Sequence, residues 1–214
     1  MTIEAVLWDY GGVFTPSPFG AATAYAHAVG AEPAVLLEVV FGSYDTDGDH
    51  VWHRLERGEV PFTEALAEIA VAAEAAGFRF EAREMFAAMR SDEIDRTIVV
   101  DSVRAVRARG LRTGIVTNNI REYGDSWRGQ LPIDELFDTV VDSSHEGVRK
   151  PNPVIYHTAL ERLGVTHPSH AVFLDDFEAN VVAARNLGLH GIVVDEDPRA
   201  AIDALDALLD RELG

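Results

Sequence analysis

The chain contains no cysteine in its 214 residues, which excludes disulfides and thiolate metal sites and leaves redox compartment unread. No apolar run reaches the roughly 18 residues that a membrane-spanning helix needs. The N-terminus carries no basic stretch leading into an apolar signal core. A cytoplasmic protein with no membrane partner is the expectation. Positive charge is scarce: 18 Lys and Arg stand against 36 Asp and Glu, for a formal net charge of −18. That balance argues against nucleic acid as a partner, and it requires any anionic substrate to be met by local positive charge or a metal ion. The nucleotide-binding patterns GxxxxGK[ST] and GxGxxG do not occur. The histidines lack HExxH spacing, and His145 beside Ser143 and Ser144 has no GxSxG elbow to serve.

What is present is a globular composition, with 47% hydrophobic residues and Gly and Pro spread along the chain. The length allows one sizeable core with a smaller subdomain. Short apolar, β-branched runs at Ile3–Trp8, Thr113–Thr117, Thr139–Val141, Ala171–Leu174 and Gly191–Val194 read as strands. Helical patterns at Asp101–Arg109, Pro153–Leu163, Glu178–Leu187 and Ala200–Glu212 alternate with the later ones, and Gly110, Gly164 and Gly188 follow helices as left-handed caps. This alternation predicts an α/β fold: a parallel sheet with helices on both faces.

The interval from Pro16 to Arg96 breaks the alternation and reads as helices alone: Phe19–Val29, Ala34–Phe41, Val51–Arg57, Phe62–Ala76 and Ala82–Met89. The expected division is an α/β core of residues 1–15 and 97–214 with a helical cap of residues 16–96 inserted after the first strand. Ile94–Asp101 is expected to be the second hinge.

The chemistry-bearing residues fall at strand ends. The run Val6 to Phe14 reads V-L-W-D-Y-G-G-V-F, an apolar strand ending in Asp9 and followed by Gly11 and Gly12. A carboxylate there is costly unless it serves a site, and open α/β sheets bind ligands at that edge. Thr117, Asn118 and Asn119 follow the second strand, Lys150 lies in G-V-R-K-P-N-P, and Asp175-Asp176 follows V-F-L with Asn180 beyond. Parallel strands bring these ends together. A carboxylate nucleophile can attack phosphorus, and a hard cation such as Mg²⁺ relieves the repulsion among clustered carboxylates. Lys150 and the Thr117 hydroxyl suit the remaining phosphate oxygens.

In this order and spacing the set resembles the haloacid dehalogenase superfamily over nearly the whole chain. Asp9-Tyr10-Gly11-Gly12-Val13 with Pro16-Ser17-Pro18, Arg149-Lys150-Pro151, and Phe173-Leu174-Asp175-Asp176 with Asn180 resemble the phosphatase-like N-terminal domains of soluble epoxide hydrolases and of acyl-CoA dehydrogenase fusion proteins. The resemblance implies a Rossmann-like core under a type-1 helical cap. It implies Asp9 as nucleophile, Thr117 and Asn118 as phosphate-binding residues, and Lys150 as the neutralising cation. It makes Asp9, Asp176, Asp175 and the Gly11 carbonyl the ligands of Mg²⁺. Asn180 is expected to orient the acidic loop.

One position departs from that pattern. The usual second Asp, two residues after the nucleophile and serving as general acid and base, is replaced here by Gly11. The expectation is an Mg²⁺-dependent phosphomonoester hydrolase for a small organic phosphate, sugar phosphates included, acting as a monomer or homodimer. The alternatives are a catalytically weak binding or regulatory module of the same fold and a 2-haloacid dehalogenase. Two features of the helical segment are less specific. The loop Asp45-Thr46-Asp47-Gly48-Asp49 with Glu56 twelfth has His50 where a calcium loop needs glycine, so it reads as a solvated acidic loop. His50, Trp52 and His53, near Arg54 and Arg57, read as packing residues or as readers of substrate.

Overall fold

The computed structural model describes residues 2–88, 96–124 and 127–213. Five short strands, β1 (Ala5–Trp8), β2 (Arg112–Thr117), β3 (Thr139–Asp142), β4 (Ala171–Asp175) and β5 (His190–Val193), pair in parallel in the order β3-β2-β1-β4-β5. This is the parallel α/β sheet the alternation predicts, in the Rossmann-like form the resemblance implies.

The strands read as unbroken apolar runs because both sheet faces are covered. Val6 and Trp8 face one layer with residues of α6 (Thr97–Ala108) and α11 (Arg199–Leu213). Ala5 and Leu7 face the other, with α9 (Pro153–Arg162) and α10 (Glu178–Leu187). The same period-two division places Val172 and Leu174 on the first face and Ala171 and Phe173 on the second. From β1 the chain builds outward through β2 to β3 and then crosses back to β4 and β5 on the other side. The direction reverses between β1 and β4, the switch point where open sheets leave a crevice beyond their carboxyl ends.

Between β1 and α6 lie α1 (Pro18–Ala28), α2 (Pro33–Phe41), α3 (Val51–Glu56), α4 (Phe62–Ala75) and α5 (Ala82–Ala88). They bury a cluster of their own, including Ala22, Leu36, Leu55, Ile69 and Met85, joined from the sheet side by Ile120. Two differences from the sequence reading have local causes. The expected hinge at Ile94–Asp101 does not form over its described part: α6 begins at Thr97, because Val99, Val103 and Val106 make one buried stripe that the first turn completes. Ile94, like the expected helix end at Met89, lies outside the described residues. Two four-residue helices, α7 (Ile133–Leu136) and α8 (Ser143–Glu146), are shorter than the span over which a helical period can be read.

Candidate active site

Asp9 is the first residue beyond β1, and its N–H donates to Leu174 O of β4 at 2.8 Å, which fixes it at the switch point. Asp175 closes β4 beside it. Asp9, Asp175 and Asp176 each offer a carboxylate oxygen within 4.8 Å of the others. Lys150 answers this charge: Nζ stands 2.7 Å from Asp9 Oδ1 and 2.7 Å from Asp175 Oδ2. The contact to Asp175 is a directed hydrogen bond, and the contact to Asp9 Oδ1 is an ion pair at the same distance.

The remaining bonds hold the acids in place. Asp175 accepts from Phe177 N at 2.8 Å and from Asn180 Nδ2 at 3.1 Å, the orienting part expected of Asn180. Asp176 lies against the backbone of the loop that follows Asp9. A Cβ at Gly12 would fall inside the Asp176 carboxylate, and Gly12 has φ +73°, so no other residue type fits there without strain. Gly11 differs, since a Cβ there meets nothing within 4 Å.

Electrostatics follow burial. Desolvation pushes the Asp9 carboxyl up to about 8; Lys150 opposes that rise and Asp175 and Asp176 add to it. Desolvation and then Asp175 push Asp176 up to about 6. Burial works against the Lys150 ammonium, but Asp175 and Asp9 outweigh it and hold the group above the ordinary lysine value. Three acids and one lysine leave room for more positive charge, and a hard divalent cation on Asp9, Asp175 and Asp176 fits that demand.

Thr117 ends β2, buried, with its hydroxyl making one weak contact of 3.5 Å to Asn118 O. Asn118 is engaged differently from a side-chain phosphate binder: its Oδ1 accepts from Lys150 N at 2.8 Å and its Nδ2 donates to Lys150 O at 3.1 Å. The side chain therefore clamps the lysine backbone, joined to Pro151 by a cis peptide. Asn119 serves the scaffold, donating from Nδ2 to Asp142 Oδ2 at 2.7 Å.

A narrow cavity of about 50 Å³ lies over the cluster. Asp9, Gly11, Asn118, Lys150, Asp176 and Asn180 line it together with Pro18, Phe19, Tyr44 and Phe177. The last group escaped the sequence reading. Only the Pro16-Ser17-Pro18 signature pointed toward it, because Tyr44 and Phe177 read locally as ordinary aromatic residues. His50, Trp52 and His53 do not line this cavity. His53 is buried and pushed down to about 4 by desolvation and then by Arg149, and its Nδ1 accepts from Gly48 N at 3.0 Å. The acidic loop is not a calcium loop either. Asp47 pairs with Arg57 at 2.5 Å, and the Glu56 carboxylate is taken by Arg149 at 2.7 Å.

A family model for haloacid dehalogenase-like hydrolases matches residues 3–188, and the chain belongs to this family of hydrolases. Among similar proteins, mouse acyl-CoA dehydrogenase family member 10 is 33% identical over 211 residues, covering 96% of this chain and 19% of that protein. Mouse bifunctional epoxide hydrolase 2 is 29% identical over 210 residues, covering 91% of this chain and 37% of that protein. The chain thus spans well under half the length of either. Of solved structures, a family enzyme from Bacteroides thetaiotaomicron in complex with magnesium and inorganic phosphate matches with TM-score 0.60 and 20% identity, over 91% of this chain and 96% of that one. An L-2-haloacid dehalogenase matches with TM-score 0.68 and 17% identity, over 96% and 100%. At such identities the structural likeness speaks for the fold alone.

Proposed function

We propose that this hydrolase is a phosphomonoesterase that forms an aspartyl-phosphate on Asp9 and acts on a small phosphorylated metabolite. The observation that carries the reading is the set of three carboxylates within 4.8 Å of one another, with Lys150 shared between two of them. A displacement of halide by Asp9 needs no cation and gives no reason for Asp176 to be packed against Gly12.

Asp9, Asp175 and Asp176, with the Gly11 carbonyl, are the residues that would hold Mg²⁺. The ion would neutralise the carboxylates and the phosphate oxygens as charge develops. The residues of the chain do the rest. One Asp9 oxygen attacks phosphorus as the bond from phosphorus to the ester oxygen breaks, and the leaving alkoxide or phenoxide takes the bonding electrons. Lys150 holds the charge that Asp9 and the transferring group share, and the Thr117 hydroxyl, with backbone N–H groups beside Asn118, binds phosphoryl oxygens. Water then attacks phosphorus of the aspartyl-phosphate, releasing phosphate and restoring the Asp9 carboxylate. Helices α1–α5 act as the cap: residues 16–96 close the cavity over residues 1–15 and 97–214, and Pro18, Phe19 and Tyr44 meet the leaving group.

Hydrolysis of p-nitrophenyl phosphate tests this, measured with Mg²⁺, with EDTA and in Asp9→Asn. Activity that needs Mg²⁺ and disappears in the variant is expected. Hydrolysis that persists in EDTA, or in Asp9→Asn, would sink the reading.

A further inference from the structure

Arg149 and Lys150 are consecutive, and both are buried almost completely. Their side chains serve different layers. Lys150 is held by Asp9, Asp175 and Asn118, all of the α/β core. The contacts of the Arg149 guanidinium come from the helical insert: Nε donates to Glu56 Oε2 at 2.7 Å, Nη1 donates to Thr46 O at 3.0 Å, and the group lies 4.5 Å from the centre of the Tyr44 ring. Glu56 is the junction on the insert side. Its carboxylate also accepts from Trp52 Nε1 at 2.9 Å and from the Tyr44 hydroxyl. Its backbone carbonyl accepts from Ser143 Oγ at 2.7 Å, and Ser143 Oγ in turn accepts from Asn119 N at 2.9 Å. One residue at the end of α3 therefore reaches both loops proposed to bind phosphate, directly through its side chain at Arg149 and, by way of the Ser143 hydroxyl, through its main chain at Asn119.

We infer that Glu56 is a positioning residue: through Arg149 it makes the placement of Lys150 depend on a seated cap. The physical reason is charge. An arginine enclosed next to a second enclosed cation needs an anion, and the insert supplies it. With the cap lifted, Arg149 loses Glu56, the Thr46 carbonyl and the Tyr44 ring together, and its guanidinium must turn to water. The backbone it shares with Lys150 then loses its tie to the insert through Arg149, and keeps the Asn118 clamp while Asp9 and Asp175 hold Lys150 Nζ. A second line runs in parallel, since the Tyr44 ring packs 5.2 Å from Phe177, whose N–H donates to Asp175. The charged latch thus reports cap closure to the lysine, so the nucleophile is neutralised and aimed only when water is shut out.

The inference rests on the proposed phosphatase reading for its kinetic readout, and the test separates the two. In Glu56→Gln, which keeps size but removes charge, kcat for p-nitrophenyl phosphate with Mg²⁺ should fall by ~10²-fold while KM changes little, the loss expected from a misplaced catalytic group. Hydrogen exchange of the segment 148–152 should rise while that of β4 holds. Arg149→Lys, which keeps the charge but not the fork, should move both readouts the same way and by less. It serves as the deciding variant if Glu56→Gln does not fold. A kcat that is unchanged, or that drops only with the folded fraction, overturns the inference, as does unchanged exchange in 148–152. If the wild-type protein hydrolyses nothing, the phosphatase reading falls and the exchange measurement alone decides the coupling.

Discussion

The substitution Gly11→Asp puts the proposed chemistry under the sharpest strain. Gly11 lines the cavity two residues beyond Asp9, its φ is not in the left-handed region, and a Cβ there meets nothing within 4 Å. The Cβ of an aspartate there meets no neighbour. In its absence the leaving oxygen departs without a proton from this position, so turnover should depend steeply on how stable that anion is. Positioned proton transfer is worth ~10²–10⁴-fold, which at ~1.4 kcal/mol per tenfold is about 3–5 kcal/mol. The gain should fall on alkyl phosphates, whose alkoxide needs the proton, and much less on the first step with p-nitrophenyl phosphate. The assay is kcat/KM across aryl and alkyl phosphates of graded leaving-group pKa, with burst kinetics to follow the aspartyl-phosphate. Wild-type protein should show a steep dependence and Gly11→Asp a shallow one. Equal rates for alkyl and aryl esters in the wild type would refute the argument. So would an unaltered slope in a variant that still binds Mg²⁺.

Other expectations follow from the charges and the packing. Asp9 stands near 8 when folded against an ordinary 3.8, so the folded chain binds the extra proton and Asp9 withdraws stability as pH rises between those values. The melting temperature in EDTA should fall over that window, and Asp9→Asn should flatten the decline; a melting temperature that rises with pH would contradict it. For the same reason Mg²⁺ should bind more tightly as pH approaches about 8 and release protons as it binds, read by calorimetry in buffers of differing ionisation enthalpy. Gly12→Ala should cost ~1–2 kcal/mol from the left-handed backbone alone. It should also weaken Mg²⁺ binding, because the new methyl displaces Asp176. Chemical denaturation and metal titration of that variant check both.

The features legible in the sequence are those carried by short contiguous segments. Asp9 and Asp175-Asp176 announce themselves as acids ending apolar runs, Lys150 stands out as a cation in a Gly- and Pro-flanked loop, and parallel strands do the gathering. Element bounds shifted where burial, invisible in one dimension, decided them, as at Thr97. Asn118 shows the limit for a site residue. An amide beside a threonine reads as a phosphate binder, and only the folded chain reveals that both its polar atoms are spent on Lys150. Glu56 was read as the last residue of an acidic loop, because the cation that uses it is 93 positions away. Tyr44 and Phe177 likewise gain meaning from facing one another across two layers.

The switch point between β1 and β4 has a consequence for how the molecule comes apart. It is the seam between a three-stranded half, β3-β2-β1, and a two-stranded half, β4-β5. Backbone bonds such as Asp9 N to Leu174 O run across it, and at its open end like charges face each other. Lys150 bridges Asp9 and Asp175 across the seam, and the proposed ion would add a second tie there. A ligand that binds the folded chain alone adds about 2.7 kcal/mol at a hundred times its Kd. If the proposed ion binds, its supply would set how readily the two halves part, and the lifetime of the fold would follow the ion proposed for the chemistry.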